Sequence, residues 1–191
     1  MTDYQRELMR LMTEWGVPPR ARKLLVEQGA RDTQALAHAR TFADAFVRDD
    51  ASILVLADGV GVGKTIAACW AMANVDAPKW GARRFRHIAQ LVETGLYGGE
   101  LERAERKQLR DAKFLVVDDI GSENMTDTFQ TMFDGLMNQR YESLGATILT
   151  TNLTSQQILE RYGKRIYDRL RGRGEWYEIN HESLRGRPEP S

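Results

Sequence analysis

Short apolar runs alternate along the chain with longer segments in which apolar residues recur every three or four positions. The runs cover residues 53–56, 85–88, 114–117, 146–151 and 176–179, and the second is the weakest. Runs of this length predict buried strands, and the periodic segments between them predict helices. Because the two kinds of segment alternate, we expect an α/β fold in which helices cover both faces of a parallel sheet.

The predicted helices follow from the same pattern. We expect them near residues 4–15, 20–48, 91–96, 101–110, 126–144 and 155–170, with another in the alanine-rich stretch that follows a glycine-rich turn. Segment 126–144 carries an apolar stripe formed by Phe129, Met132, Phe133, Leu136 and Met137. A stripe with this spacing is typical of packing on a core and does not indicate a cofactor site.

The first helical segment is amphipathic, with apolar side chains at Tyr4, Leu8, Leu11, Met12 and Trp15. Gly16 and the prolines at 18 and 19 predict where this helix ends. Such a helix either packs on the core of its own chain or docks as a detachable arm on a partner protein. The pattern favours neither alternative.

Composition narrows the class of protein. The chain has 191 residues, of which 42% are apolar and 28% charged, as in a globular protein with one α/β domain. We find no apolar run long enough to cross a bilayer and no signal peptide, and we expect a cytoplasmic protein. Cys69 is the only cysteine, which excludes a disulfide framework within the chain. His38, His87 and His181 show no metal-binding spacing and are interpreted as ordinary residues.

The formal net charge is zero, so the distribution of charge is more informative than its sum. Basic residues crowd the last part of the chain, at Arg161, Lys164, Arg165, Arg169, Arg171, Arg173, Arg185 and Arg187. A basic patch can serve DNA, a nucleotide phosphate or an acidic neighbouring subunit. At Arg83, Arg84, Phe85 and Arg86, the pattern favours strand packing with outward arginines over contact with DNA.

A glycine-rich turn follows the first predicted strand and opens a helix. It consists of Asp58, Gly59, Val60, Gly61, Val62, Gly63, Lys64 and Thr65, and Ile66 comes next in the helix. In this context it predicts a Walker A phosphate loop, whose backbone amides and helix end would bind phosphate oxygens at residues 59–66. Lys64 would reach the β- and γ-phosphates of ATP, and the Thr65 hydroxyl would hold Mg²⁺.

Asp58 occupies the position where the usual Walker A motif begins with glycine. A carboxylate near a triphosphate repels it unless the side chain points away. Gly59 and Gly61 would supply the backbone flexibility that Asp58 lacks. A glycine-rich turn that binds no nucleotide therefore remains an alternative.

Polar residues also end the third and fourth predicted strands. Asp118 and Asp119 follow the apolar run 114–117, at the edge where ligands bind in open α/β sheets. Asp118 would hold Mg²⁺, and Asp119 would orient and polarise the attacking water. Asn152 follows the next strand after two threonines, where a plain turn or a sensor of the γ-phosphate is expected. Together with the preceding phosphate loop, these strand ends indicate an ATPase site.

These motifs together resemble the DnaC/IstB family of helicase loaders and transposition ATPases. The resemblance rests on residues 16–20, 61–65, 115–121, 148–153 and 163–170, and it extends over nearly the whole chain after residue 16. It implies an AAA+ P-loop NTPase core with a parallel sheet flanked by helices and a minimal lid. We expect a short N-terminal helical extension at residues 1–48 and the ATPase core at residues 49–191.

The resemblance also implies roles for two arginines and several partners. Segment 163–170 is similar to the arginine-finger helix of the family, so Arg169 would stabilise charge on the γ-phosphate in a neighbouring subunit. Arg185 lies where the family carries a second arginine sensor and would contact the nucleotide of its own subunit. A solvated basic face is the alternative explanation for both arginines; the finger role is favoured for Arg169, and neither explanation is favoured for Arg185. The family implies a homo-oligomer that binds single-stranded DNA.

Several functions remain open from the sequence. The leading hypothesis is an ATP-dependent loader that binds single-stranded DNA and a replicative helicase, and hydrolyses ATP to release its partner. A transposition ATPase that delivers target DNA to a transposase shares every nucleotide motif. A small-molecule nucleotide kinase or a non-hydrolysing binding module is a further alternative, the latter because of Asp58. Only about fifty residues precede the phosphate-loop strand, so the helix near residues 3–15 is either a minimal helicase anchor or has a different partner.

Overall fold

The chain is described by a computed structural model over residues 1–47, 52–75, 82–96, 99–172 and 174–179. The helices are α1 (Asp3–Glu14), α2 (Pro19–Glu27), α3 (Gln34–Val47), α4 (Lys64–Asn74), α5 (Ile88–Leu96), α6 (Glu100–Asp111), α7 (Asp127–Glu142) and α8 (Ser155–Gly172). The strands are β1 (Ile53–Ala57), β2 (Arg83–His87), β3 (Phe114–Ile120), β4 (Ala146–Thr151) and β5 (Gly174–Glu178). From β1 onward, strands and helices alternate as the sequence predicts.

The five strands form one parallel sheet in the order β2-β3-β4-β1-β5. Every residue of β1 and β4 is buried, and so is nearly every residue of β3. Burial on both faces explains why these strands are continuous apolar runs without polar alternation. The predicted α/β class with a parallel sheet is confirmed.

Two hydrophobic cores lie on opposite faces of the sheet. Leu54 and Leu56 of β1 belong to the core formed with α1, α2, α3 and α4. Ile53 and Val55 belong to the core formed with α5, α6, α7 and α8, because successive strand residues point to opposite faces. None of the helices in the described ranges is both long and apolar enough to cross a membrane.

The predicted helical segment 20–48 is two helices. Helix α2 ends where Gly29 takes a φ of 77°, in the left-handed region that favours glycine. Helix α3 begins after Thr33, whose hydroxyl oxygen accepts a hydrogen bond from the backbone amide of Leu36 at 3.1 Å. The periodicity of apolar residues continues across this turn, which is why the pattern alone did not separate the helices.

Two predicted strand ends are also corrected. Ile88 is the first residue of α5, because the side chain of Gln90 accepts a hydrogen bond from the backbone amide of His87 and supports the helix start. Ile179 follows β5, although its backbone amide still donates to Ala57 at 2.9 Å. Both residues are buried, so their apolar character did not mark the boundary.

Arg83 lies inward, contrary to the prediction that the arginines of β2 face outward. Its guanidinium donates to the backbone carbonyl oxygens of Met72 and Val75 at the end of α4, the latter at 2.8 Å. A guanidinium is a favourable partner for the carbonyl groups at a helix C-terminus. Arg84 and Arg86 hydrogen-bond the side chains of α6 instead. The β2 arginines are therefore engaged within the chain.

The N-terminal segment packs on the sheet. Met12 is fully buried in the first core, together with Val17. The Trp15 carbonyl oxygen accepts a hydrogen bond from the backbone amide of Phe85 at 2.7 Å, which attaches this segment to the edge strand β2. The Arg83 guanidinium lies 4.6 Å from the centre of the Trp15 ring, within the range of a cation–π contact. These contacts favour the core-packing alternative for the apolar face of α1.

Helix α8 is interrupted at Gly163, which has a φ of 80°. Immediately before the break, Arg161 and Tyr162 donate hydrogen bonds to the buried carboxylate of Glu123, at 3.1 and 2.7 Å. The backbone amide of Gly121 donates to the same carboxylate at 2.8 Å. The first part of α8 is thereby fixed to the loop that follows β3.

We predict that Met12→Ala destabilises the fold by about 2–5 kcal/mol, because it removes a fully buried side chain and leaves a cavity. Urea unfolding followed by circular dichroism measures the change. Tyr4→Ala on the exposed face of the same helix is the control and should change stability by no more than about 0.5 kcal/mol. Equal stability of the wild type and Met12→Ala would mean that α1 detaches in solution.

Candidate functional site

The predicted site residues of the sheet meet in one cleft of about 750 Å³ at the carboxyl edge of the strands. Lys64, Thr65, Asp118, Asp119 and Asn152 all contribute to its wall. The parallel order places the end of β1 beside the end of β4, and the end of β4 beside that of β3. Ligands bind in open α/β sheets at this edge, so the position agrees with the sequence-based expectation.

The loop between β1 and α4 has a backbone that glycine accommodates easily. Gly59, Gly61 and Gly63 have φ values of 59°, 76° and 90°. A Cβ atom at Gly59 would overlap the carbonyl oxygen of Ile179, so a larger residue does not fit there. Gly63 is the N-cap of α4, and residues 60–67, which include the start of that helix, line the cleft. This arrangement is suited to binding an anion.

Asp58 adopts the left-handed conformation that the usual motif gives to glycine, with a φ of 59°. Aspartate tolerates this region better than most residues because its short side chain can bond the local backbone. Its Oδ1 accepts a hydrogen bond from the backbone amide of Gly59 at 2.7 Å. The cleft wall formed by this loop begins at Val60, so the Asp58 carboxylate is engaged in the loop itself.

Lys64 connects the loop to the end of β4. Its side chain is buried, with 7% of the residue exposed. The ammonium group donates hydrogen bonds to the carbonyl oxygens of Asp58, at 2.5 Å, and Gly59. It also donates to the Oδ1 atom of Asn152 at 3.0 Å. The positive charge and the predicted sensor amide therefore lie at one point of the cleft, although 88 residues separate them.

Asp118 is held by two hydroxyl groups. Its Oδ1 accepts hydrogen bonds from Thr65 at 2.8 Å and from Thr150 at 2.7 Å. Burial raises the pKa of the Asp118 carboxyl above its ordinary value, and the hydrogen bonds from Thr150 and Thr65 oppose that shift. The carboxylate is 7% exposed and is fixed between the helix start and the end of β4.

The donor set at Thr65 and Asp118 fits Mg²⁺. One hydroxyl and one carboxylate oxygen, 2.8 Å apart, are hard ligands of the kind this ion takes. The described ranges contain no group of three or more His, Cys, Asp or Glu side chains that could hold a metal. A site with two protein oxygens suits Mg²⁺ bound together with a nucleotide, because the ion takes its other ligands from phosphate and water.

Asp119 is held in an unusual backbone conformation by neighbours on both sides. It has a φ of 62° and lies where the pairing of β3 with β4 shifts register between Val117 and Ile120. Its Oδ1 accepts a hydrogen bond from Asn152 at 3.0 Å, and its Oδ2 lies 3.5 Å from the Nε2 atom of His87. The carboxylate therefore lies at the cleft with a defined orientation, as a residue that orients water requires.

Sequence reasoning missed His87 and Thr150 as residues of the cleft. His87 was interpreted as an ordinary histidine, yet it ends β2 and pairs in register with Asp118. Thr150 both donates to Asp118 and accepts from the backbone amide of Asp119 at 2.9 Å. The rule that parallel strand ends meet at one edge could have indicated both residues.

The cleft is also lined by residues of α2, the turn before α3 and the first turn of α3. They are Pro18, Arg20, Ala21, Leu24, Gln28, Ala30, Arg31, Thr33 and Leu36. Several of these side chains are apolar, and Val62, Ile66 and Ala67 line the same cleft. An apolar lining beside a glycine-rich loop suits a flat aromatic ring. The only sequence signal for this lining was the Gly-Val-Pro-Pro-Arg stretch at residues 16–20.

The predicted arginines lie away from the cleft wall or outside the described residues. Arg169 is on α8, where its guanidinium lies 3.2 Å from the Asp134 carboxylate. Arg169 does not contribute to the wall of the described cleft. Arg185 lies outside the described residues, as do Arg173 and His181. His38 stacks on Tyr177 with 3.5 Å between ring centres, and burial lowers its pKa.

Comparison with known proteins gives one family and several similar folds. The family model described as IstB-like ATP binding protein matches residues 26–190. The crystal structure of the DnaC helicase loader is similar at a TM-score of 0.68 and 22% identity, over 85% of this chain and 100% of that chain. DnaI is similar at a TM-score of 0.66 and 21% identity, over 94% of this chain and 93% of that chain.

A third similar structure is that of AMPPCP-bound DnaA from Aquifex aeolicus. Its TM-score is 0.65 at 19% identity, and the match covers 80% of this chain but only 49% of that chain. None of the curated proteins matches the sequence significantly. Together with the family match, the likenesses confirm the predicted AAA+ P-loop fold.

We predict that Asp58→Asn strengthens binding of ATP about fivefold. The asparagine oxygen can still accept from the Gly59 amide and its backbone tolerates the same conformation, so the variant removes only the negative charge. Titration with a fluorescent ATP analogue at low and high salt measures the effect, which should shrink as salt rises. Asp44→Asn on the far surface of α3 is the charge-matched control. Unchanged or weaker binding by Asp58→Asn would show that the Asp58 charge does not act on the phosphates.

Proposed function

The chain belongs to the family of IstB-like ATP binding proteins, and on that basis we propose that it hydrolyses ATP in the cleft at the carboxyl edge of its sheet. The observation that carries this proposal is the meeting of Lys64, Thr65, Asp118, Asp119 and Asn152 in one cleft, although they come from three separate parts of the sequence. Phosphoryl transfer needs groups of this kind at one point: a cation, a hydroxyl–carboxylate pair and an amide.

Each residue has a role that follows from its position. The backbone amides of residues 60–66 and the Lys64 ammonium bind the β- and γ-phosphates, whereas the predicted Gly59 amide is engaged by Asp58 and lies outside the cleft wall. Thr65 and Asp118 would hold Mg²⁺, which neutralises charge on the phosphate oxygens. Asp119 orients the attacking water and accepts its proton, while Asn152 positions the γ-phosphate. The direct hydrogen bond between Lys64 and Asn152 supports these roles, because both groups lie within reach of one phosphate.

Two alternatives from the sequence, a nucleotide kinase and a non-hydrolysing binding module, are less well supported. The match to the family of IstB-like ATP binding proteins disfavours a nucleotide kinase. A non-hydrolysing module was suggested by Asp58, but the Asp58 carboxylate bonds its own loop at 2.7 Å. The family match and the engaged Asp58 carboxylate therefore favour hydrolysis with water as acceptor.

We propose further that the active form is a homo-oligomer in which Arg169 of one subunit completes the cleft of the next. Arg169 does not line the described cleft of its own chain, which is compatible with action in a neighbouring subunit. An arginine supplied by a neighbour stabilises the charge that develops on the γ-phosphate. Arg185 is proposed to contact the nucleotide within its own subunit.

For the biological role we propose an ATP-dependent loader that binds single-stranded DNA and a replicative helicase. The likeness of the chain to the whole DnaC helicase loader structure supports this proposal. The second candidate is a transposition ATPase that delivers target DNA to a transposase, and the family match to IstB-like proteins favours it. The two roles differ in the DNA they engage, which is single-stranded for the loader and duplex for the transposition ATPase.

We predict that the purified chain hydrolyses ATP, that single-stranded DNA stimulates the rate more than duplex DNA does, and that Lys64→Ala abolishes it. Arg169→Ala should lower kcat by at least about 100-fold while ATP still binds, because a missing trans arginine removes stabilisation of developing charge. Phosphate release and fluorescent-nucleotide titration measure the two quantities. Lys107→Ala, which removes an exposed lysine, is the matched control and should keep full activity.

The outcomes separate the alternatives. ATP binding without hydrolysis in every condition would leave a binding module, and phosphate transfer to a nucleoside monophosphate would indicate a kinase. Stimulation by duplex DNA alone would favour the transposition ATPase over the loader.

A further inference from the structure

Two arginines of α8 converge on one carboxylate of α7. Arg169 Nη1 lies 3.2 Å from Asp134 Oδ1, and Arg165 Nη1 lies 3.5 Å from Asp134 Oδ2. Arg165 and Arg169 are four residues apart, so they occupy the same face of the helix. Each arginine uses a different oxygen of Asp134, which therefore bridges the pair.

The backbone that carries the two arginines is firmly placed. The part of α8 after Gly163 buries Ile166 and Leu170 in the second core, where Phe133 and Met137 of α7 also lie. Asp134 follows Phe133 directly, so it stands at the α7–α8 contact. The face of α8 that carries Arg165 and Arg169 is thus fixed by packing, while their guanidinium groups are oriented by Asp134.

The side chains of Arg165, Arg169 and Asp134 differ in solvent exposure, and this difference indicates that each has a separate role. The side chain of Arg169 is 20% exposed and that of Asp134 is 28% exposed, whereas that of Arg165 is 74% exposed. Two like charges at this helical spacing repel each other unless an acid lies between them. Asp134 removes that repulsion and holds Arg169 at a defined point of the surface, with Arg165 beside it facing solvent.

We propose that Asp134 is a positioning residue that presents the Arg165–Arg169 pair to the ATP site of a neighbouring subunit. This inference rests on the proposed function, because it assumes that Arg169 acts in trans. A flexible arginine loses conformational freedom when it contacts a phosphate, and holding it beforehand lowers that cost. Arg165 is then the second cation at the subunit contact, and its exposure allows it to reach across.

A purely structural role for Asp134 makes different predictions. If Asp134 only tied α7 to α8, its loss would lower stability and would affect the cleft of its own subunit. If Asp134 positions the arginine pair, its loss lowers the turnover of the neighbouring site and leaves ATP binding in its own cleft unchanged. A mixture of Asp134→Asn subunits with subunits that lack a working phosphate loop distinguishes these cases.

The first experiment compares Asp134→Asn, Asp134→Glu and Glu142→Gln. We expect Asp134→Asn to lower kcat about 10- to 100-fold with the affinity for ATP unchanged, because the arginines are misplaced but not removed. Asp134→Glu keeps the charge and should restore most of kcat. Glu142→Gln removes one exposed charge from the end of the same helix and should keep full activity. The melting temperature of Asp134→Asn should fall by no more than about 4 °C, as for a partly exposed ion pair.

The second experiment mixes full-length subunits. Lys64→Ala subunits lack a working phosphate loop but carry intact Asp134 and Arg169, whereas Asp134→Asn subunits have the reverse. Where the two meet, an intact cleft faces an intact arginine pair, so the mixture should hydrolyse ATP faster than either variant alone. A mixture of Asp134→Asn with Arg169→Ala should show no such recovery.

Two results would overturn the inference or its premise. If Lys64→Ala with Arg169→Ala recovers activity but Lys64→Ala with Asp134→Asn does not, Asp134 acts within its own subunit and the inference is wrong, while the proposed function stands. If neither mixture recovers activity although the wild type hydrolyses ATP, the trans arrangement itself is wrong.

Discussion

The parallel pairing of β3, β4 and β1 is the constraint on which the whole candidate site depends. It brings the carboxyl ends of these strands to one edge, and with them Asp118, Asn152 and the loop that ends at Lys64. Burial of the strands on both faces, in two separate cores, keeps that edge in place. The hydrogen bond from Lys64 to Asn152 is possible only because the sheet has already placed its partners.

At this edge of the sheet, hydrogen bonds with polar neighbours offset the cost of burying charged side chains. Asp118 is a nearly buried carboxylate whose raised pKa reflects the cost of burial, and two threonine hydroxyls offset part of that cost. Lys64 is a nearly buried cation that carbonyl and amide oxygens surround. The three N–H groups of the Lys64 ammonium are all engaged, so a bound anion would replace at least one of these oxygen acceptors.

Helix α8 connects that site to the surface of the molecule. Before the Gly163 break, Glu123 fixes the helix to the loop after β3, and beyond the break Asp134 lies against its arginines. The loop held by Glu123 begins two residues after Asp119, at Gly121. The two acidic residues, Glu123 and Asp134, therefore join α8 both to the loop at the end of β3 and to α7. A substitution of Glu123 or of Asp134 would affect the same helix, because the apolar face of α8 packs in the second core between these two contacts.

The sequence by itself determined the features that depend on local spacing. Apolar runs marked the five strands of the described ranges, and the glycine-rich loop, the two aspartates and the polar strand end marked the cleft residues Lys64, Asp118 and Asn152. Those signals are local, because strand burial and the start of a helix require particular residues at adjacent positions. The apolar pattern did not predict the boundary between α2 and α3 or the start of α5. The turns there are set by single capping hydrogen bonds, while the apolar pattern continues across them.

Only the tertiary structure decided which distant residues meet. It brought His87 to Asp119, turned Arg83 inward to the end of α4, and placed residues of α2 and α3 in the same cleft as the glycine-rich loop. It also paired Arg169 with Asp134, 35 residues earlier in the chain. These contacts depend on how helices pack against the two faces of the sheet. No periodicity or motif spacing encodes that packing, because it is fixed by the fit of side chains from remote segments.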